Sequence, residues 1–156
     1  MPMLYRLALT TCRDQRRADD LVQTTLEKMW LAWPRLTDVD DLYGYARRVL
    51  VNAFYAEHRR PWWRREHVVT FEYLDLFDHA PDQLTPAVAQ LDLIAGLRQL
   101  PERQRMAVVL RYLEDLTVAD VADLMTCSEG NVKRLSFDGL RALRAVMSEH
   151  QERTPT

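Results

Sequence analysis

Apolar residues recur at helical spacing along both halves of this chain. Leu21, Val22, Leu26, Met29, Trp30 and Trp33 form one stripe, which ends at Pro34. A second stripe, the clearest in the chain, runs through Leu42, Tyr45, Ala46, Val49, Leu50, Ala53 and Phe54, with Asp40 or Asp41 available as its N-cap. Upstream, Met3 to Cys12 reads as a partial helix with Leu4, Leu7 and Ala8 inward, and Arg35 to Asp41 is a short polar connection. Together these elements predict a first helical module with a thin core.

A second module opens at Thr85-Pro86, a cap and first-turn pair, and continues through Val88, Leu91, Ile94 and Leu97 to Leu100. Pro101 starts the next helix, with Met106, Val109, Leu110 and Leu113 as its inward positions. Thr117-Val-Ala-Asp120 has capping-box spacing with Asp in place of Glu, and opens a short helix with Val118, Val121, Ala122 and Met125 inward. After Thr126-Cys127, Ser128 caps a last helix. That helix buries Val132, Leu135 and Leu143, with Leu140 and Met147 as further inward positions, and carries Lys133, Arg134, Arg141 and Arg144 outward. A short helix, a tight turn and a longer basic helix have the dimensions of a helix-turn-helix, whose second helix enters the major groove. Helical hairpins of this form also occur in proteins that bind no nucleic acid, so pattern alone leaves both readings open.

Composition narrows the function. At 156 residues and 47% hydrophobic, the chain fits one ordinary domain or two small ones. The formal net charge of −2 gives no sign of a free nucleic-acid binder, but it is a cancellation of blocks. Residues 35–65 hold seven Arg against four acids, whereas residues 66–97 hold six acids and no Lys or Arg. The acidic block contains Pro81 and Pro86 and lacks clean periodicity, which predicts a flexible linker at about residues 61–85. The expected fold is therefore all-α, two small helical modules joined by an acidic linker.

No apolar run approaches the roughly 20 residues of a membrane span, and no basic segment leads into an apolar stretch and a cleavage site, so a cytoplasmic protein is expected. Cys12 and Cys127 stand far apart without metal-ligand spacing and read as reduced thiols. Four Gly leave little material for a phosphate-binding loop. His58, His67, His79 and His150 are scattered with no nucleophile–base arrangement, so no catalytic residue, cofactor or metal is expected.

Several segments resemble the extracytoplasmic-function sigma factors of bacterial RNA polymerase. Ala18-Asp-Asp-Leu-Val-Gln-Thr-Thr-Leu26 is similar to that family's AEDLVQEAL segment, and Tyr45-Ala-Arg-Arg-Val-Leu-Val-Asn52 to its promoter-melting helix. Leu100-Pro-Glu-Arg-Gln-Arg105 and Arg111-Tyr-Leu-Glu-Asp-Leu-Thr117 resemble the start of its region four, and Ser128-Glu-Gly-Asn-Val-Lys133 resembles the SxGTVK opening of its recognition helix. The resemblance covers both modules in order. It implies a dissociable specificity subunit with region two at 1–60, a linker at 61–85, region four at 86–147 and a tail at 148–156. Region two would dock on the clamp helices of the beta-prime subunit and open the minus-ten element. Region four would read the minus-thirty-five element of promoter DNA and sit on the flap of the beta subunit.

On this resemblance Asp20, Gln23 and Glu27, three and four residues apart on one helix face, are the expected core-polymerase contact. Arg47, Arg48, Asn52, Tyr55 and Arg59 are the expected minus-ten contacts, a set of guanidinium, amide and ring that suits single-stranded bases. The loop from Arg35 to Tyr43 is expected to capture a flipped base. Beyond it, Arg59, Arg60, Arg64 and Arg65 suit phosphates, while Trp62 and Trp63 read better as a cover for the small core. Ser128, Glu129, Asn131, Lys133, Arg134 and Phe137 are the expected minus-thirty-five contacts. Arg134 is the leading candidate because an Arg reads guanine through two hydrogen bonds. Glu129 either accepts from cytosine or favours the helix dipole, and Phe137 either meets a thymine methyl group or packs on the first module.

Two departures from the family pattern stand out. Family members usually carry a further helical turn or more before the position of Leu4, so Leu21, Trp30 and Leu50 are expected to be poorly covered. Lys133-Arg-Leu-Ser-Phe-Asp138 stands where a KSRLSR-like run is common, so the promoter sequence does not transfer. The acidic linker is either a contact for an anti-sigma factor or a cover over the basic faces of the free protein. The main rival is a polymerase-independent helix-turn-helix regulator, which would bind duplex DNA unaided.

Overall fold

The computed structural model describes residues 2–58 and 84–153, in two compact units that divide between Tyr73 and Leu74. Among the described residues every regular element is helical.

The first unit contains α1 (Pro2–Thr11), α2 (Gln15–Ala32), a 3₁₀ turn (Trp33–Arg35) and α3 (Leu42–His58). The Asp14 side chain caps α2 by accepting from the Arg17 amide at 2.9 Å, and Pro34 falls in the 3₁₀ turn that ends it. Asp41 caps α3, its carboxylate accepting from the Gly44 amide at 2.8 Å. Leu4, Leu7 and Ala8 of α1, Leu21 and Val22 of α2, and Ala46, Leu50, Val51, Ala53 and Phe54 of α3 form the core. Leu21 and Leu50 are fully buried, contrary to the expected poor cover, because α1 packs against both α2 and α3. Tyr5 on α1 donates to Asp19 on α2 at 3.1 Å, and Gln15 donates to the Tyr5 oxygen at 3.4 Å, adding a polar link between the two helices.

Three positions expected on the inward stripes face outward here. Trp30 is 76% exposed and Trp33 51%, while Ala18, Thr25 and Met29 join Leu21 and Val22 in the buried seam. Each i, i+4 step advances about 40° around a helix, so the line Val22–Leu26–Trp30 rotates out of the core. Leu42, at the first turn of α3, is half open to solvent.

The second unit comprises α4 (Leu84–Arg98), α5 (Glu102–Val108) running into a π-helical turn (Val109–Leu113), α6 (Val118–Met125) and α7 (Glu129–Arg153). Leu97, Leu100, Met106, Val109, Leu110, Val121, Val132 and Leu143 make its core. Helix α7 packs against α4, α5 and α6, and two glycines permit the closest crossings. A Cβ on Gly139 would lie 2.7 Å from Val108 Cγ2 and 3.1 Å from the Gln104 carbonyl oxygen, and one on Gly96 would lie 2.9 Å from Leu143 Cδ1. Helix α4 begins at Leu84, ahead of the expected Thr85-Pro86 start, and α7 continues to Arg153 through residues expected as a tail.

Leu91, expected inward, is 63% exposed: the apolar residues of α4 spread over a wide arc of the helix, and α7 covers only one side. Leu113 is also exposed. The Glu114 amide reaches back five residues to the Val109 carbonyl at 3.0 Å, and this wider turn shifts Leu113 off the face set by Met106 and Leu110. Leu135 is half-buried and Ser136 takes the buried position, its hydroxyl donating to the Val132 carbonyl at 2.7 Å.

Candidate nucleic-acid interface

Each helix of the α6–α7 pair opens on a side-chain cap. The Thr117 hydroxyl accepts from the Asp120 amide and the Ser128 hydroxyl from the Asn131 amide, each at 3.1 Å. Between the helices Thr126 adopts the left-handed conformation (φ 55°, ψ 51°), and its amide donates to the Ala122 and Asp123 carbonyls, closing a three-residue turn. Ahead of α6, Arg111 donates to the Leu116 carbonyl and its guanidinium stands 5.8 Å from the Tyr112 ring centre, holding the loop that leads into the pair.

This framework decides which way α7 points. Val132, Ser136, Gly139 and Leu143 form its buried seam. Arg134, Phe137 and Arg141 lie three and four residues apart on the opposite face, all exposed, with Lys133 and Arg144 beside them. Glu129 is exposed at the first turn and Asn131 is half-buried. The expected set therefore shares one end of α7, but Ser128 has its hydroxyl engaged as the cap. Arg141, outward in the sequence reading but outside the expected contact set, joins the face through its i, i+7 relation to Arg134.

In the first unit, Arg48 and Asn52 are exposed and share a line with half-buried Tyr55 on the side of α3 away from Ala46 and Leu50. The Tyr55 ring stands edge-on to buried Phe54, with ring centres 5.4 Å apart. Arg47 does not share this line. It is half-buried, its guanidinium 5.4 Å from the Tyr43 ring centre. Arg59, Arg60, Trp62, Trp63, Arg64, Arg65 and the acidic stretch through Asp82 lie outside the described residues.

On α2, Gln23 donates to Glu27 at 3.2 Å, and Asp20 lies on the same face. Trp30 and Leu31, 76% and 78% exposed, flank Glu27 on either side. The three polar residues thus belong to a mixed surface with a large apolar component. Sequence reasoning missed this because it counted Trp30 toward the core. The available signal was rotation about the helix: Trp30 and Leu31 both fall outside the arc set by Ala18, Leu21, Thr25 and Met29.

Among the described residues no group of three or more His, Cys, Asp or Glu could hold a metal ion, and no helix is long and apolar enough to cross a membrane.

Comparison with known proteins matches both units. The Sigma-70 region 2 family covers residues 1–64 and the Sigma-70 region 4 family residues 96–145. The chain is 31% identical over 142 residues to an RNA polymerase sigma-E factor of Streptomyces avermitilis, covering 90% of this chain and 76% of that one. It is 26% identical over 145 residues to the ECF RNA polymerase sigma factor SigM of Bacillus subtilis, covering 92% and 87% respectively. In fold it resembles the sigma factor RpoE of Bartonella quintana, solved in complex with the anti-sigma factor NepR. That likeness has a TM-score of 0.67 at 22% identity, over 94% of this chain and 91% of the other.

Proposed function

The chain belongs to the extracytoplasmic-function sigma factors of the sigma-70 family, and from that premise we propose how its surfaces divide the work of initiation. As a sigma factor it directs core RNA polymerase to promoters and starts transcription through minus-ten opening and minus-thirty-five recognition. It is a regulator that recognises DNA, and the comparisons give no support to a polymerase-independent mode.

In the reading we propose, Asp20, Gln23 and Glu27, flanked by Trp30 and Leu31, meet the clamp helices of the beta-prime subunit. Apolar area together with hydrogen-bonding groups is what a specific protein contact needs. Arg48 and Asn52, with Tyr55 behind them, hold the displaced single strand, and Arg59, outside the described residues, is assigned to the same contact. Arg47 supports that strip from its flank by fixing Tyr43. In the second unit the outward face of α7, with Arg134 at its centre, lies in the major groove of the minus-thirty-five duplex. Ser128 contributes as the cap that aims the helix, Glu129, Asn131 and Lys133 line its first turns, and the beta-subunit flap receives the same unit. The factor acts in the cytoplasm with the polymerase. The fold shared with an anti-sigma-bound relative supports an anti-sigma factor as a further partner.

The observation that carries this reading is the doubly capped α6–α7 pair presenting Arg134 and Arg141 opposite its buried seam, in a chain whose other unit matches region 2. A gel-shift of labelled promoter duplex tests it. The protein alone should shift the duplex weakly, since its charges nearly cancel, whereas protein and core polymerase together should give a discrete complex. Arg134→Ala should weaken that complex about tenfold, within the range of one lost guanine contact. A tight shift by the protein alone, unaffected by core polymerase, would contradict the reading.

A further inference from the structure

Phe137 is 65% exposed in the middle of the outward face of α7, three residues after Arg134 and four before Arg141. The buried seam of α7 runs along the opposite side, through Val132, Ser136, Gly139 and Leu143, so the phenyl ring has no part in holding the helix to its own unit. An uncovered ring between two basic residues keeps apolar area in water that its own unit does not remove.

The chemistry of the major groove restricts what that partner presents. Guanine, adenine and cytosine offer hydrogen-bonding groups there, which a phenyl ring would desolvate without replacing. Thymine alone adds a methyl group, the one apolar feature in the groove. The flanking arginines suit guanine, which accepts two hydrogen bonds from a guanidinium. At about 1.5 Å rise per residue, Arg134 and Arg141 lie about 4.5 and 6 Å along the axis from Phe137, one to two base-pair steps of about 3.4 Å.

We propose that Phe137 is a specificity-determining residue that reads the 5-methyl group of a thymine, on either strand, one to two base pairs from a guanine read by Arg134 or Arg141. This rests on the promoter-reading role proposed above for α7 and adds to it a base identity.

The test uses holoenzyme assembled from core RNA polymerase and the full chain. Promoter fragments with a randomised upstream element are selected for binding, and in the recovered elements each thymine is replaced in turn by deoxyuridine, which lacks only the methyl group. One replacement should lower affinity about three- to fourfold, the factor of a single buried methyl group. That penalty should vanish with Phe137→Ala and persist in part with Phe137→Leu. Two outcomes overturn the proposal while leaving promoter reading by α7 intact: no replacement affects the wild type although a guanine preference dependent on Arg134 is present, or the methyl penalty survives Phe137→Ala. A selection with no preference anywhere in the upstream element overturns both readings.

Discussion

Asp19 carries a carboxyl between α1 and α2 whose pKa is raised from its ordinary 3.8, chiefly because burial disfavours its charged form, with Asp14 adding to the effect and the Tyr5 hydrogen bond opposing it. A carboxyl with a raised folded pKa contributes stability in full below the unfolded value, and that contribution is lost as pH rises through the folded one. At neutral pH the first unit therefore holds a partly desolvated charge, whose cost solvent screening keeps small. Asp19→Asn keeps an oxygen able to accept from Tyr5 and removes that charge. It should raise the thermal midpoint at pH 7 by about 1–3 °C, with the gain shrinking as pH falls toward the unfolded value. An equal gain at both ends of a pH series of melting curves would show that desolvation of the charge is not the cause.

Between elements, the two glycines at the crossings of α7 make opposite demands. A methyl group at Gly139 would press on the Gln104 backbone, which cannot move without shifting α5, and on the stiff β-branched side chain of buried Val108. Gly139→Ala should destabilise the second unit by about 1–3 kcal/mol in urea unfolding. At Gly96 the obstacle is the far end of the Leu143 side chain, which can rotate, while alanine gains about 1 kcal/mol of helix propensity. Gly96→Ala should be neutral or mildly stabilising, and the contrast between the two variants separates close packing from propensity.

The helices themselves were legible because caps and apolar spacing agree at Asp41, Thr117 and Ser128. The faces were less so. Trp30 looked inward because four-residue spacing hides its rotation about the helix, and Leu113 because nothing in Val109–Leu113 announces a π-helical turn. Leu91 looked inward because the apolar residues of α4 spread over a wide arc, and sequence does not say which side its neighbour covers. Of the candidate site, the α7 arginines were readable because basic residues opposite an apolar seam must face outward. The separation of Arg47 from Arg48 was hidden, since adjacent residues on a helix point about 100° apart and only the Tyr43 ring fixes where Arg47 goes.

For the whole molecule, the proposed reading gives each unit a different recognition surface. The apolar part of the α2 surface should matter for polymerase, not for folding. Replacing Trp30 and Leu31 by alanine should leave the helical circular dichroism unchanged, since both are largely exposed, yet reduce retention of core polymerase on the immobilised protein at least about tenfold, a loss of about 1.4 kcal/mol or more. Retention equal to wild type would remove this face from the polymerase contact.

The most direct test of the whole account is run-off transcription by purified core RNA polymerase on fragments that include DNA upstream of the protein's own gene. A discrete transcript should appear only when the protein is added and should fall about tenfold with Arg134→Ala. A protein that fails to bind core polymerase and yields no transcript, yet alone shifts a discrete duplex, would contradict it.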